Sequence, residues 1–274
     1  MASVSYDFSD EVVMITGAAR GQGRSHALNF AKAGATVVIS DIAEQMATVA
    51  YDLSTSDELN DVAAEIESLG GRCQAAVCDV RDSRQVETMV ADGLAEFGKI
   101  DVLINNAGVE GLPSVAEMTE EEWDEMLDVL LKGCFLCSKA ASANMIERGK
   151  GRIITTGSTF AVVASPRQAH YCAGKHGIVG FSKALALELA EHGITVNVVS
   201  PGGVDTAMVE GFSVMPQAEW AQQLPGIVGQ LNMFDPEALL DPQEVSNVMM
   251  WLASDGARFV TGANILVDAG YTIK

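Results

Sequence analysis

Residues Val12 to Asp41 read VVMITGAARGQGRSHALNFAKAGATVVISD, and the order of residue types along them decides the fold. Val12 to Thr16 is a short apolar run that enters the glycine-rich TGAARGQG. Ser25 to Ala33 then carries a helical pattern that stops at Gly34, and Thr36 to Ser40 is a β-branched run closing on Asp41. Strand, glycine turn, helix, strand is a βαβ opening, which requires parallel strands. Working outward, the pattern repeats: further strands are predicted at Cys73 to Val77, Val102 to Ile104, Arg152 to Thr155, Thr195 to Val199 and Ile265 to Val267. Helical patterns cover Leu59 to Leu69, Val86 to Phe97, Glu120 to Ile146 and Gly177 to Leu189. Continuous apolar strands alternating with helices predict an α/β fold, a doubly wound parallel sheet with helices on both faces. The 274 residues suit one domain of this type, spanning 1–274.

Composition sets outer limits. Apolar residues make up 48% of the chain, enough for a core, and no uninterrupted apolar stretch approaches the roughly 18 residues of a membrane span. Seventeen basic against 37 acidic residues give a net charge of −20, which repels nucleic-acid phosphates and anionic membranes. The acidity reads as a solubility device, with adaptation to a high-salt interior as the competing reading. MASVSYDF has no cationic segment before an apolar run, and the five cysteines show no disulfide-type spacing, so a reducing cytoplasm is expected.

Two segments break the alternation. After Asp41 the chain runs IAEQMATVAYDLSTSDE, residues 42–58, too long for an ordinary βα loop, so an insertion is expected there. The second, about 205–240, is rich in Met, Gly and Pro and lies between a strand and a helix. That is where parallel sheets bind ligands, and it reads as a substrate lid, with a packed surface excursion as the alternative.

The glycine turn places Gly17, Arg20, Gly21, Gln22 and Gly23 at a helix amino terminus, a site for a pyrophosphate. Its spacing differs from GxGxxG, and glycines alone say little. Asp41 adds weight: it ends the second strand, 18 residues beyond Gly23, where a carboxylate accepts both ribose hydroxyls and repels a 2′-phosphate. NAD is therefore expected over NADP. Asp79 and Val80 at the third strand end, and Asn106, Ala107 and Gly108 at the fourth, stand where adenine and ribose would pass.

Tyr171 and Lys175 are four apart, so on a helix they differ by about 40° and about 6 Å and enter one cleft. Ser158, in TTGSTF, precedes Tyr171 by 13 residues, near enough for a loop to bring its hydroxyl to the phenol. Hydride transfer to or from a nicotinamide needs a proton donor or acceptor on the substrate oxygen. An ammonium about 5 Å from the phenol is worth roughly 3 kcal/mol at an effective dielectric near 20, enough to lower its pKa by about two units. Ser158, Tyr171 and Lys175 are thus the candidate catalytic set.

TGAARGQG, Asp41, NNAG, Ser158, the YxxxK of Tyr171 and Lys175, and PGGVDT at Pro201 to Thr206 together resemble the short-chain dehydrogenase/reductase family over nearly the whole chain. The resemblance implies a Rossmann-type domain and a homotetramer. It also implies cofactor contacts from Tyr171, Lys175, Pro201, Gly202, Val204 and Thr206, the last two on the nicotinamide carboxamide. GAARGQGRSHA, YDLSTSDEL, AHYCAGKHG and VDAGYTIK are similar to the carveol-dehydrogenase-like, mycofactocin-associated branch. In that branch the insertion covers an NAD that stays bound and is reoxidised by another carrier. One departure stands out: the family carries Asn in DVNLxG, completing a proton relay to the lysine, whereas DVLLKG here places Leu130 at that position. The relay is then either broken or carried by backbone carbonyl and water alone.

The expected activity is NAD-dependent interconversion of a secondary alcohol and a ketone on a small hydrophobic substrate, terpenoid or alicyclic, without a metal. Two alternatives stand beside it: an ordinary sugar, steroid or 3-oxoacyl reductase with freely exchanging NAD, and a non-catalytic nucleotide-binding protein. Cys134 and Cys137 form a CxxC read as core, His170 and His176 point away from the catalytic pair, and Thr119 with Glu122 reads as a helix cap. Met208, Met215, Met233, Trp220 and Phe234 are the soft apolar residues of the expected lid.

Overall fold

The computed structural model describes residues 4–212, 232–235 and 238–273. Seven parallel strands form one sheet: β1 (Val12–Thr16), β2 (Thr36–Asp41), β3 (Cys73–Val77), β4 (Val102–Asn105), β5 (Gly151–Thr156), β6 (Ile194–Pro201) and β7 (Asn264–Val267), in the order β3-β2-β1-β4-β5-β6-β7. The order reverses between β1 and β4, the crevice where open parallel sheets hold ligands. β1 explains why its sequence is apolar throughout. Val12 and Met14 enter one core layer and Val13 and Ile15 the other, so neither face tolerates a polar side chain.

Helices α1 (Gly21–Lys32), α2 (Ser56–Ser68) and α8 (Pro242–Ala253) cover one face, with Phe30, Leu59, Ile66 and Met249 buried beneath them. On the other lie α3 (Ser83–Phe97), α4 (Glu120–Leu127), α5 (Gly133–Arg148) and α6 (Ala169–Leu189). A short α7 (Ala207–Phe212) follows β6. Capping boxes start two helices, Thr55 with Glu58 and Thr119 with Glu122 as expected, while Asp241 caps α8 ahead of Pro242.

Between α4 and α5 a π-helical turn, Asp128–Lys132, carries Leu130. The combined 29 residues Glu120–Arg148 are long and apolar enough to cross a bilayer, yet they form a core helix with Met126, Leu130, Cys137, Ala141 and Met145 buried. α6 begins at Ala169, eight residues before the start expected at Gly177, and α1 begins at Gly21, not Ser25. The segment expected as a lid is pinned at both ends by a parallel bridge of Val204 with Leu240. Its Met215 and Trp220 lie outside the described residues.

Candidate active site

The β1–α1 turn is built on backbone that only glycine supplies cheaply. Gly17 and Gly21 have φ of +66° and +55°, and a Cβ on Gly23 would lie 2.0 Å from the Gly17 carbonyl oxygen. Asn106 braces this turn: its Nδ2 donates to the Thr16 and Gly17 carbonyls at 3.1 and 3.0 Å, and its Oδ1 accepts from Thr156 Oγ1 at 3.1 Å. The amino terminus of α1 has no side-chain cap and no acidic residue in its first turn, so its N–H groups and positive dipole end are open to an anion.

Asp41 ends β2 with its carboxylate aimed back at this turn. Oδ2 accepts from the Ala19 N–H at 3.0 Å, and Oδ1 from the Ile42 N–H at 2.9 Å and from Ser54 Oγ at 2.5 Å. Ser54 belongs to the insertion, which folds as a cover over the crevice. Met46, Val49 and Tyr51 are buried in the core layer below α4. Gln45 ties the loop to itself, donating to the Val49 and Tyr51 carbonyls at 3.0 and 3.2 Å and accepting from the Leu53 N–H at 2.8 Å. Thr48 donates to Glu125 of α4, Arg81 joins Glu125 at 2.6 Å, and Arg20 donates to the Asp52 carbonyl. The insertion ends at the Thr55 cap, three residues earlier than expected.

One cavity of about 700 Å³ runs beneath the cover. Gly17, Arg20, Gly21, Gln22 and Asp41 line one end, with Asp79, Val80, Asn106, Ala107 and Gly108 along the strand ends. Ser158, Tyr171 and Lys175 line the same cavity, as do Pro201, Gly202, Val204 and Thr206, the last close against Gly21. Of the candidate catalytic and cofactor residues, Gly23 is the one that does not line the cavity; its Cα packs against the Gly17 carbonyl of the turn. The Asp79 carboxylate is paired with Arg81, at 2.8 Å. The buried Gln22 Oε1 has no hydrogen-bond partner, a polar atom left over beside the helix amino terminus. These features fit a dinucleotide: an anion-ready helix end, a close glycine turn and a carboxylate at the second strand.

Ser158, Tyr171 and Lys175 are all buried. Ser158 Oγ accepts from the Phe160 N–H at 3.1 Å and hydrogen-bonds with the Tyr171 hydroxyl. Lys175 Nζ donates to the Thr156 carbonyl at 2.8 Å and lies 5.5 Å from the Tyr171 ring centroid. The expected lowering of the phenol by this lysine does not hold. Burial raises Tyr171 well above its ordinary value, neighbouring Glu110 adds to the rise, and the bond with Ser158 opposes it. Burial also brings the Lys175 ammonium down to about 8, against the pull of Glu110.

Leu130 is 2% exposed and fills the space behind the lysine. Its methyls sit 3.2 and 2.9 Å from where a Cβ on Gly108 or Gly174 would lie. Beside it is a void of about 10 Å³ that Asn105 also borders. The Asn105 amide donates to Ser138 Oγ at 3.0 Å, and its Oδ1 is buried without a partner.

His170 and His176 do not line the cavity; His170 Nδ1 accepts the Tyr171 N–H at 2.9 Å, serving the helix start. Cys134 and Cys137 are buried in α5, their thiols pushed up by burial. Met208 lines the cavity, whereas Phe234 is 90% exposed and turned away from it. Glu110, Gln168, Tyr51 and Ser54 are among the lining residues that sequence reasoning passed over.

The family described as enoyl-(acyl carrier protein) reductase matches residues 17–272. The chain is 35% identical over 273 residues to (-)-trans-carveol dehydrogenase of Rhodococcus erythropolis, covering 96% of this chain and 98% of that one. Its fold is similar to a short chain dehydrogenase from Mycobacterium paratuberculosis bound to NAD, with TM-score 0.92, 36% identity, and 98% and 100% of the two chains covered. It is also similar to carveol dehydrogenase from Mycobacterium avium in complex with NAD, with TM-score 0.89, 33% identity and the same coverage.

Proposed function

The chain belongs to the short-chain dehydrogenase/reductase family as an NAD-dependent enzyme acting on CH–OH groups, and from that premise we propose that it interconverts a secondary alcohol and a ketone on a small hydrophobic substrate, terpenoid or alicyclic. The observation that carries the proposal is the meeting of Ser158, Tyr171 and Lys175 in one buried cavity that also reaches the glycine turn and Asp41. NAD, when bound, supplies the hydride acceptor or donor at the carbinol carbon. Gly17, Gly21 and the α1 amino terminus hold its phosphates, Asp41 its adenosine ribose, and Val204 with Thr206 its carboxamide end.

Ser158 Oγ and the Tyr171 hydroxyl together fix the substrate oxygen. Because burial keeps the phenol protonated, Tyr171 is poised to give its proton to a ketone oxygen. In the oxidative direction Tyr171 first gives up its own proton to solvent, a loss favoured by the nearby Lys175 ammonium and by the positive charge an oxidised nicotinamide would add, and the phenolate then takes the alcohol proton. The Thr156 carbonyl anchors Lys175 through one of its protons, leaving the others to serve the tyrosine and the ribose that NAD would bring.

The buried insertion supports a second element of the proposal: NAD is held through turnover and reoxidised by another carrier such as mycofactocin. Two separate exposed apolar sets support a homotetramer, Phe135 and Leu187 on α5 and α6, and Phe259 and Ile273 near the β7 edge. All five cysteines are free, consistent with a reducing cytoplasm. The test is to denature purified protein, assay the released nucleotide, and follow alcohol oxidation with an artificial dye. Tyr171→Phe should lower turnover by about 10²-fold or more with NAD still bound; retained activity refutes the assignment.

A further inference from the structure

Glu110 lies on the wall of the cavity that holds Ser158, Tyr171 and Lys175, and none of the steps above uses it. Its position is fixed from two sides. The Gln168 amide donates to Oε1, and the Glu110 backbone N–H donates to the Tyr51 hydroxyl at 3.2 Å. Gln168 is itself 4% exposed, so the carboxyl is aimed by a partner that has little freedom to move. Burial raises Glu110 to about 7, with the charge of Lys175 pulling the other way. The same cavity is lined by the apolar and aromatic side chains of Met46, Phe160, Met208, Leu239 and Tyr271. A carboxyl on such a wall is costly once a ligand displaces water, unless the ligand brings a polar group to meet it.

We propose that Glu110, held by Gln168, is a specificity-determining residue that receives a second hydroxyl of the substrate. The preferred substrates are then diols or hydroxyketones, not alcohols whose remainder is pure hydrocarbon. A hydroxyl suits both forms of the carboxyl, donating to the carboxylate and accepting from the acid. Ser158 and Tyr171 engage the reacting oxygen, and Glu110 reads the other one. The inference rests on the alcohol–ketone reading of this site and narrows its substrate class.

The test compares cyclohexanol with the isomeric cyclohexanediols on the NAD-loaded enzyme, using an artificial dye as acceptor. The wild type should favour at least one diol by about tenfold in kcat/KM, equivalent to about 1.4 kcal/mol. Glu110→Leu should bring that ratio close to one, and Glu110→Gln, which keeps hydrogen-bonding capacity, should restore part of it. Equal use of both alcohol classes by the wild type, or a preference that survives Glu110→Leu, overturns the inference. Calorimetric titration of the same alcohols into the Tyr171→Phe protein with NADH reads the ratio without turnover. Alcohols oxidised or bound without a diol preference overturn only this inference, whereas alcohols neither oxidised nor bound overturn the alcohol dehydrogenase reading with it.

Discussion

Replacing Leu130 by Asn sets two effects of opposite sign against each other. Leu130 is 2% exposed and packs on the helix turn that carries Lys175, so its burial is worth about 1.5–3 kcal/mol. A buried amide adds a desolvation cost of about 1–3 kcal/mol, and one hydrogen bond returns about 1 kcal/mol. Such a bond has a ready partner in the orphaned Asn105 Oδ1 across the small void. The net cost is about 3 kcal/mol, which for a chain of this size lowers Tm by about 5 °C.

The kinetic effect runs the other way. Lys175 now has the Thr156 carbonyl behind it and a leucine where a polar group would pass protons onward. Leu130→Asn should therefore raise kcat and reduce the solvent isotope effect, despite the lost stability. Leu130→Met, matched in volume, serves as the apolar control and should leave both near the wild-type values. The assay is the pH–rate profile of dye-coupled oxidation alongside a thermal melt. A melt shifted as expected with an unchanged pH–rate profile refutes the relay argument.

Asp41→Asn should cut the preference for NAD over NADP by about tenfold, roughly 1.4 kcal/mol, because the amide removes the repulsion of a 2′-phosphate and keeps only one of the two accepting oxygens that now take the Ala19 and Ile42 N–H groups; paired dissociation constants check it. Gly23→Ala places a methyl 2.0 Å from the Gly17 oxygen, so the turn must shift; NAD affinity measured by calorimetry should fall at least about tenfold. Glu110 has a folded pKa of about 7, above its unfolded value near 4.5, so the stability it contributes is present below pH 4.5 and lost as pH rises through 7. Glu110→Gln should consequently gain on the wild type by up to about 3 kcal/mol between those limits, read from denaturant melts at pH 4.5 and 8. A gap independent of pH contradicts the burial of that charge.

The parts of the site legible in the sequence are those whose demands are local. A turn needing positive φ at Gly17 and Gly21 selects glycine, a strand buried on both faces selects VVMI, and a helical step of four brings Tyr171 beside Lys175. Asp41 was legible because its place follows from the strand length. The start of α6 was misplaced because Gly174 and Gly177 dilute the apolar period, while packing against Leu130 and Leu131 makes glycine the fitting residue there. Glu110 carried no signal: its burial depends on Gln168 and Tyr51, each more than 50 residues away. The insertion was visible as surplus length, but its closure rests on Gln45 and Thr48, whose partners no spacing rule predicts. The phenol pKa was misjudged because one charge was weighed without the desolvation that outweighs it.

The π turn at Asp128–Lys132 accommodates one residue more than an α-helical course would, and each residue turns an α-helix by about 100°. Removing a single residue there would leave a continuous helix but put its two halves out of phase. With α5 fixed in the core, α4 would rotate, carrying Glu125 away from both Thr48 and Arg81. The loop over the crevice is therefore indexed to the sheet by a counting irregularity 80 residues further along the chain. Insertions and deletions in that helix would be felt first as a misaligned roof, before any loss of the walls beneath it.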